Sequence, residues 1–202
     1  MTEPKSTEAR RKEIVGAARQ LFITKGYEQT STVDIMNAVG IAKGTLYYHF
    51  SSKEEILDAL IEEVTDQMET AARPMGEDHS IPIPDRIIGV IRAINIAGAG
   101  ENGIIDALHL PYNALFHQKS HALTIDKISP IMMMIVEDGI RQGLFHTDYP
   151  ASAVHMALSY SLTGFDSEQS QSPAMIKGFI YHLERMLGTG EGELSKLIEL
   201  FD

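Results

Sequence analysis

The chain has 202 residues, 44% of them hydrophobic, enough apolar surface to bury a core, which excludes a disordered tail protein. No run approaches the roughly 18 to 20 apolar residues of a membrane span, and residues 1–12 are polar where a signal peptide has an apolar core. The absence of cysteine removes disulfides, thiolate metal sites and cysteine nucleophiles, so a soluble, cytoplasmic protein with no membrane partner is expected. The net charge of −11 is uneven along the chain: residues 1–53 carry eight basic and five acidic side chains, net +3, and the remainder nine and 23, net −14. Only the N-terminal quarter is suited to meet phosphates.

Apolar spacing is helical nearly everywhere and no strand pattern stands out, so the expected fold is all-α, with about nine to ten helices. Ile14, Ala17, Ala18, Leu21 and Phe22 form a stripe ended by Gly26, giving a first helix over 7–24. Ser31 and Asp34 resemble a cap for a short second helix with Ile35, Ala38 and Val39 on its inner face, stopped at Gly40. A third short helix spans about Ala42 to Phe50. Ser52 and Glu55 form a capping box for a fourth, with Ile56, Leu60, Ile61 and Val64 in its stripe, reaching about Arg73. Pro74, Gly76, Pro82 and Pro84 mark the clearest loop.

Further helices are expected near 85–97, 102–118, 123–142, 151–164, 173–187 and 192–201, with glycines between them as C-terminal caps. Pro111 and Pro130 fall inside two of these, so each helix is either kinked there or begins later. The domain division expected is 1–52 and 53–202.

The segment Thr30 to Phe50 carries the functional signal. Two short helices joined through Gly40 set one helix steeply against another, as in a helix-turn-helix. On the second of them, Leu46 and Phe50 point inward, which turns Gly44, Thr45 and Tyr48 away from the core, with Lys43, Tyr47 and His49 at the flanks. Such a surface suits DNA. Lys43 can neutralise a phosphate, Tyr47 and His49 can hydrogen-bond one, Thr45 and Tyr48 can touch base edges, and Gly44 allows close approach. Thr30 and Ser31 lie where a helix start makes a phosphate contact, and Lys53 opens the fourth helix within reach of another. Packing of Tyr47, Tyr48 and His49 against the first or fourth helix is the alternative.

From Ile14-x-x-Ala17-Ala18-x-x-Leu21-Phe22 through Gly26-Tyr27, Thr30-Ser31, Gly40-Ile41-Ala42-Lys43-Gly44-Thr45-Leu46-Tyr47-Tyr48-His49-Phe50 and Lys53-Glu54-Glu55, the chain closely resembles the DNA-binding domain of the tetracycline-repressor (TetR) family. Ala42 stands where that family often has serine or threonine, so one cap and phosphate contact is absent. The resemblance implies a three-helix helix-turn-helix domain, a connecting helix, a larger helical ligand-binding and dimerisation domain, and a homodimer built on the helices near 151–164 and 173–187. The partners it implies are a double-stranded DNA operator and a small-molecule effector; that the chain is not an enzyme is expected from the lack of catalytic motifs.

For the effector, His109, Tyr112, Phe116, Met132, Met133, Met134, His155 and Tyr160 mix apolar bulk with polar tips and are candidates for lining a pocket. Residues 131–135 also fit ordinary core. His117 and His121 sit one turn apart if their helix is continuous, a metal-chelating spacing without an evident third ligand, and Gln118-Lys119-Ser120 between them suggests a solvated helix end. No Gly-x-Ser-x-Gly, phosphate-cradling glycine loop or His-Glu-x-x-His pattern is present, and no cofactor is expected. The reading that follows is a ligand-responsive repressor on a pseudo-palindromic operator. The alternatives are a ligand-independent regulator controlled by a protein partner and a metal-dependent binder using His117 and His121.

Overall fold

Ser6 opens helix α1 (Thr7–Lys25) by accepting a hydrogen bond from Ala9 N–H, and Gly26 closes it at φ +88°, its own N–H donating to Phe22 O at 3.1 Å. The computed structural model describes residues 6–99, 114–164 and 172–201, and every regular element in them is helical. After α1 come α2 (Thr32–Val39), α3 (Lys43–His49), α4 (Lys53–Glu77), α5 (Ile83–Ala99), α6 (Ala114–Arg141), α7 (Pro150–Thr163), α8 (Pro173–Leu187) and a C-terminal 3-10 helix, Ser195–Leu200.

The described residues divide into two compact units, one of residues 6–65 with those of 98–120, the other of 66–97 with those of 121–202. In the first unit the α1 stripe supplies Ile14, Ala18 and Phe22, which with Ile35, Leu46 and Phe50 are all but inaccessible to solvent. Tyr27 packs edge-on against Phe22, and Lys119 of α6 pairs with both Glu54 and Asp58 of α4 at 2.6 Å. The second unit is built on Ile87, Val90, Ile128, Ile135, Leu158 and Ile180.

The short helix α2 buries Ile35 and half-buries Met36 and Val39, while Ala38 of the expected inner face is exposed. At 100° per residue the buried arc runs through 35, 39 and 36, and 38 falls on its far side. Glu55 N–H donates to Ser52 Oγ at 3.1 Å as the capping box requires. The Glu55 carboxylate, however, reaches one residue further back and accepts from the N–H and hydroxyl of Ser51 at 2.6 and 2.7 Å.

Three expected boundaries differ. The loop placed at Pro74 and Gly76 is the last turn of α4, because Pro74 faces solvent and leaves its orphaned acceptor to water. The separate helices expected at 102–118 and 123–142 are one helix from Ala114 onward, with Gln118-Lys119-Ser120 inside it, held by the ion pairs of Lys119; residues 102–113, Pro111 among them, lie outside the described residues. Pro130 is also inside α6 and exposed. The terminal helix expected at 192–201 is a 3-10 helix over 195–200, where Leu194, Leu197 and Leu200 recur every third residue, the period of that helix.

Candidate nucleic-acid interface and effector cavity

The start of α2 is fixed by a reciprocal cap. Ser31 Oγ accepts from Asp34 N–H at 3.1 Å, and the Asp34 carboxylate accepts from the N–H and the hydroxyl of Ser31, both at 2.7 Å. Lys25 at 2.8 Å completes the group. Hydrogen bonds from Lys25 first, then from Ser31, hold the Asp34 carboxyl well below the usual carboxylate range. A depressed folded pKa means the stabilisation is present above the ordinary value of about 3.9 and is lost as pH falls through the lowered one. The Asp34 carboxyl carbon in an NMR titration is therefore expected to show its midpoint far below that ordinary value; a midpoint near it contradicts the cap.

Gly40 ends α2 at φ +71°, in the left-handed region, with the N–H groups of Gly40 and Ile41 both donating to Met36 O. This turns the chain into α3, whose N-cap Ala42 makes no side-chain bond, as the substitution there implies. The other end of α3 is held by Arg11 of α1, which donates to His49 O at 2.9 Å and lies 4.1 Å from the centre of the Phe50 ring. Sequence reasoning missed Arg11; a cation one turn before the first apolar residue of the stripe, Ile14, was its only signal.

With Leu46 and Phe50 inside, α3 presents Lys43, Gly44, Tyr47 and Tyr48 together on an exposed face, with Thr45 and His49 half-buried at its edges. Tyr48 is 76% exposed, and its ring meets that of His49 edge-on, with centroids 5.0 Å apart. Lys43 Nζ stands 5.8 Å above Tyr47. Gly44 has nothing within 4 Å of where a Cβ would stand. The structure does not bring Thr30 to this face. It is buried, and its hydroxyl donates to Gly26 O at 2.7 Å, closing the end of α1. Lys53 is likewise engaged, donating to Tyr27 O at 2.8 Å with its ammonium 4.1 Å from the Tyr27 ring centre. Ser31 is exposed, with its hydroxyl turned to Asp34.

In the second unit an apolar cavity of about 200 Å³ lies among α5, α6, α7, α8 and the 3-10 helix. Ile87, Ile91 and Ile94 of α5, Leu158 of α7 and Phe179 and Leu183 of α8 line it, with Asn95, Thr124 and Ser161 as polar groups. Of the pocket candidates, Met132 lines this cavity. Met133 and Met134 are half-buried beside it in sequence but not among its lining, because consecutive helix positions diverge by 100°. Phe116 is buried in the first unit, and His155 is exposed on α7. Tyr160 stacks on Phe179 at 5.2 Å and lines a separate open groove with Met156, Met175 and Met186. His109 and Tyr112 lie outside the described residues. His117 and His121 are one turn apart on continuous α6, and no group of three metal-ligating side chains occurs among the described residues.

In the same unit, Arg86 of α5 is completely buried and donates to Asp138 of α6 at 2.6 Å and to Gly76 O of α4. His79 Nδ1 and Arg141 also meet the Asp138 carboxylate, the histidine at 2.6 Å. One ionic knot thus ties the end of α4 to both helices. Gly76 is part of it sterically, since a Cβ there would run into Ile131 Cγ2, which a β-branched helical side chain cannot swing away. Gly76→Ala gains about 1 kcal/mol of helix propensity but incurs about 1–3 kcal/mol of overpacking or more. A lower midpoint in urea denaturation is expected, and a higher one would show that α4 and α6 can part freely.

A chain whose described residues form only helices, with an exposed basic and aromatic face on the second helix of a helix-turn-helix, has the architecture of a DNA-binding protein. The profile described as "Bacterial regulatory proteins, tetR family" matches residues 14–60, and "Tetracyclin repressor-like, C-terminal domain" matches 99–171, together more than half the chain. The chain belongs to the TetR family of transcriptional regulators. It is 29% identical over 143 residues to the HTH-type transcriptional repressor KstR2 of Rhodococcus jostii, spanning 69% of each chain. The crystal structure of RolR in complex with resorcinol aligns with a TM-score of 0.66 at 17% identity, over 96% of this chain and 94% of that one. The fatty acid degradation regulator FadR from Bacillus halodurans aligns with a TM-score of 0.62 at 18% identity, over 92% and 97%. No helix among the described residues is long and apolar enough to cross a membrane.

Proposed function

We propose that the protein is a homodimeric repressor that binds a pseudo-palindromic operator through α3 and releases it when a small, largely apolar molecule enters the cavity of the second unit. The exposed α3 face carries this reading: a tyrosine 76% exposed beside a lysine and a second tyrosine gains nothing from folding and suits a nucleic-acid partner. Residues 1–52 would serve as the reading domain and 53–202 as the sensing and dimerising one. Support for the dimer comes from Met156, Met175 and Tyr181, large apolar side chains left exposed on α7 and α8. Repression is supported by the likeness to KstR2, and effector binding by RolR, which holds resorcinol. Two reading helices separated by about 34–36 Å would enter successive major grooves, and a coupling of about 1–3 kcal/mol between effector and operator suffices for regulation. Selection from random duplexes is expected to enrich a site of two inverted halves bound by a dimer. Enrichment of nothing, or of a single half bound by a monomer, rejects the proposal.

A further inference from the structure

We propose that the cavity of the second unit takes a neutral molecule, an apolar body carrying one oxygen that accepts a hydrogen bond, as in a ketone, lactone or alcohol. Thr124 of α6 is the residue that reads this oxygen. The inference deepens the reading of that cavity as the effector site and rests on it. Among the described residues that line the cavity none carries a charge. A carboxylate or an ammonium entering it would lose its hydration and meet no counterion there, which strongly disfavours a charged ligand.

The three polar side chains of the lining are not equivalent. Asn95 and Ser161 are exposed, and the Ser161 hydroxyl already donates to Ala157 O at 2.7 Å. Thr124 is 5% exposed, so bulk water does not serve its hydroxyl. Its bonding also departs from that of the other helical hydroxyls. Thr24, Thr65, Ser129, Ser161 and Thr163 each donate to the carbonyl four residues back, at 2.6 to 2.9 Å. Thr124 instead directs its proton to Met68 Sδ of α4, 3.9 Å away, a long contact to a weak acceptor. A buried hydroxyl held this lightly in an apolar wall is a donor in reserve. A ligand oxygen at the ordinary distance of about 2.7–2.8 Å is a far better acceptor than a thioether and draws the proton away from Met68. A pure hydrocarbon leaves the proton on sulfur and gains apolar contact alone.

Three naphthalene probes with equal numbers of non-hydrogen atoms separate the classes: 2-acetylnaphthalene has a carbonyl, 2-isopropylnaphthalene has no oxygen, and 2-naphthoate is ionised at neutral pH. Each competes with the neutral fluorophore N-phenyl-1-naphthylamine, which brightens in apolar surroundings, for the full chain, and displacement gives its dissociation constant. Thr124→Val keeps the shape and removes the hydroxyl. It is expected to weaken 2-acetylnaphthalene roughly 3- to 10-fold and to leave 2-isopropylnaphthalene unchanged or tighter. Thr124→Ser keeps the hydroxyl and is expected to bind the ketone as the wild type does. The naphthoate is expected to bind the wild type about tenfold more weakly than the ketone, or worse. Equal losses of ketone and hydrocarbon in Thr124→Val, or a naphthoate bound as tightly as the ketone, overturn the proposal. Filling the cavity with Leu158→Trp tests the cavity reading separately: if the fluorophore still binds there, or never binds the wild type, that reading fails. Should Leu158→Trp not fold, as judged by its helical circular dichroism, Leu162→Trp makes the same test. Loss of fluorophore binding there, together with a ketone-selective loss in Thr124→Val, supports both.

Discussion

Replacing Tyr48 with alanine is expected to weaken binding to the selected operator by about 1–3 kcal/mol, roughly 5- to 150-fold, and to relax preference at the base pairs the ring touches. Lys43→Ala should differ in kind. A phosphate contact carries no sequence information, so its loss weakens binding to all duplexes alike and lowers the salt dependence by about one counterion per protomer. Tyr48→Phe separates the ring from the hydroxyl. Tyr149 supplies the control, since it is as exposed as Tyr48, at 76%, but lies outside α3. Tyr149→Ala should bind DNA as the wild type does, whereas equal losses at both positions would mean that affinity follows exposed aromatic surface and not α3. Fluorescence anisotropy over a salt series measures all four.

Asp138→Ala is expected to be the most destabilising single change. It leaves Arg86 fully buried with its Nε already lacking a partner, and breaking a buried pair from one side costs about 3–5 kcal/mol. For a chain of this size each kcal/mol lowers the thermal midpoint by about 2–4 °C, so a fall of about 10 °C is expected. His79 and Arg141 also lose their partner, but both are largely solvated and add little. Removing both sides with Arg86→Met and Asp138→Leu should recover much of the loss, because apolar side chains carry no desolvation penalty. Equal midpoints for the single and double variants would show that the pair itself, and not the stranded charge, supplies the stability.

The reading domain was legible because its signals are local. Ile14, Ala18 and Phe22 repeat at the period of one helix face, Gly26 and Gly40 stop helices by their own backbone freedom, and Leu46 with Phe50 orients α3 without help from elsewhere. Where tertiary contacts decide, the local signal misled. Pro74 and the run from Gln118 to Ser120 suggest breaks, yet an outward-facing ring and the ion pairs of Lys119 let both helices continue. Thr30 looks like a surface residue, yet it is buried with its hydroxyl donating to Gly26 O, and half-buried Lys53 donates to Tyr27 O, pairings that only the fold reveals. The cavity was nearly illegible, since periodicity tells which side chains point inward but not which of them fail to touch. Ile87, Ile91 and Leu197 belong to apolar patterns identical to those of packed core, and His155 suggested a polar tip that faces solvent.

The close approach of Gly76 to Ile131 also constrains how this protein can change over generations. A side chain at 76 is costly while isoleucine occupies 131, whereas leucine at 131, branched one carbon further out, removes the Cγ2 in its path and keeps the volume. The two positions therefore drift at least cost in one order, 131 first. A lineage that has taken that step can acquire alanine or serine at 76, and then cannot easily restore isoleucine at 131. The junction at the end of α4 thus works as a ratchet on the sequence.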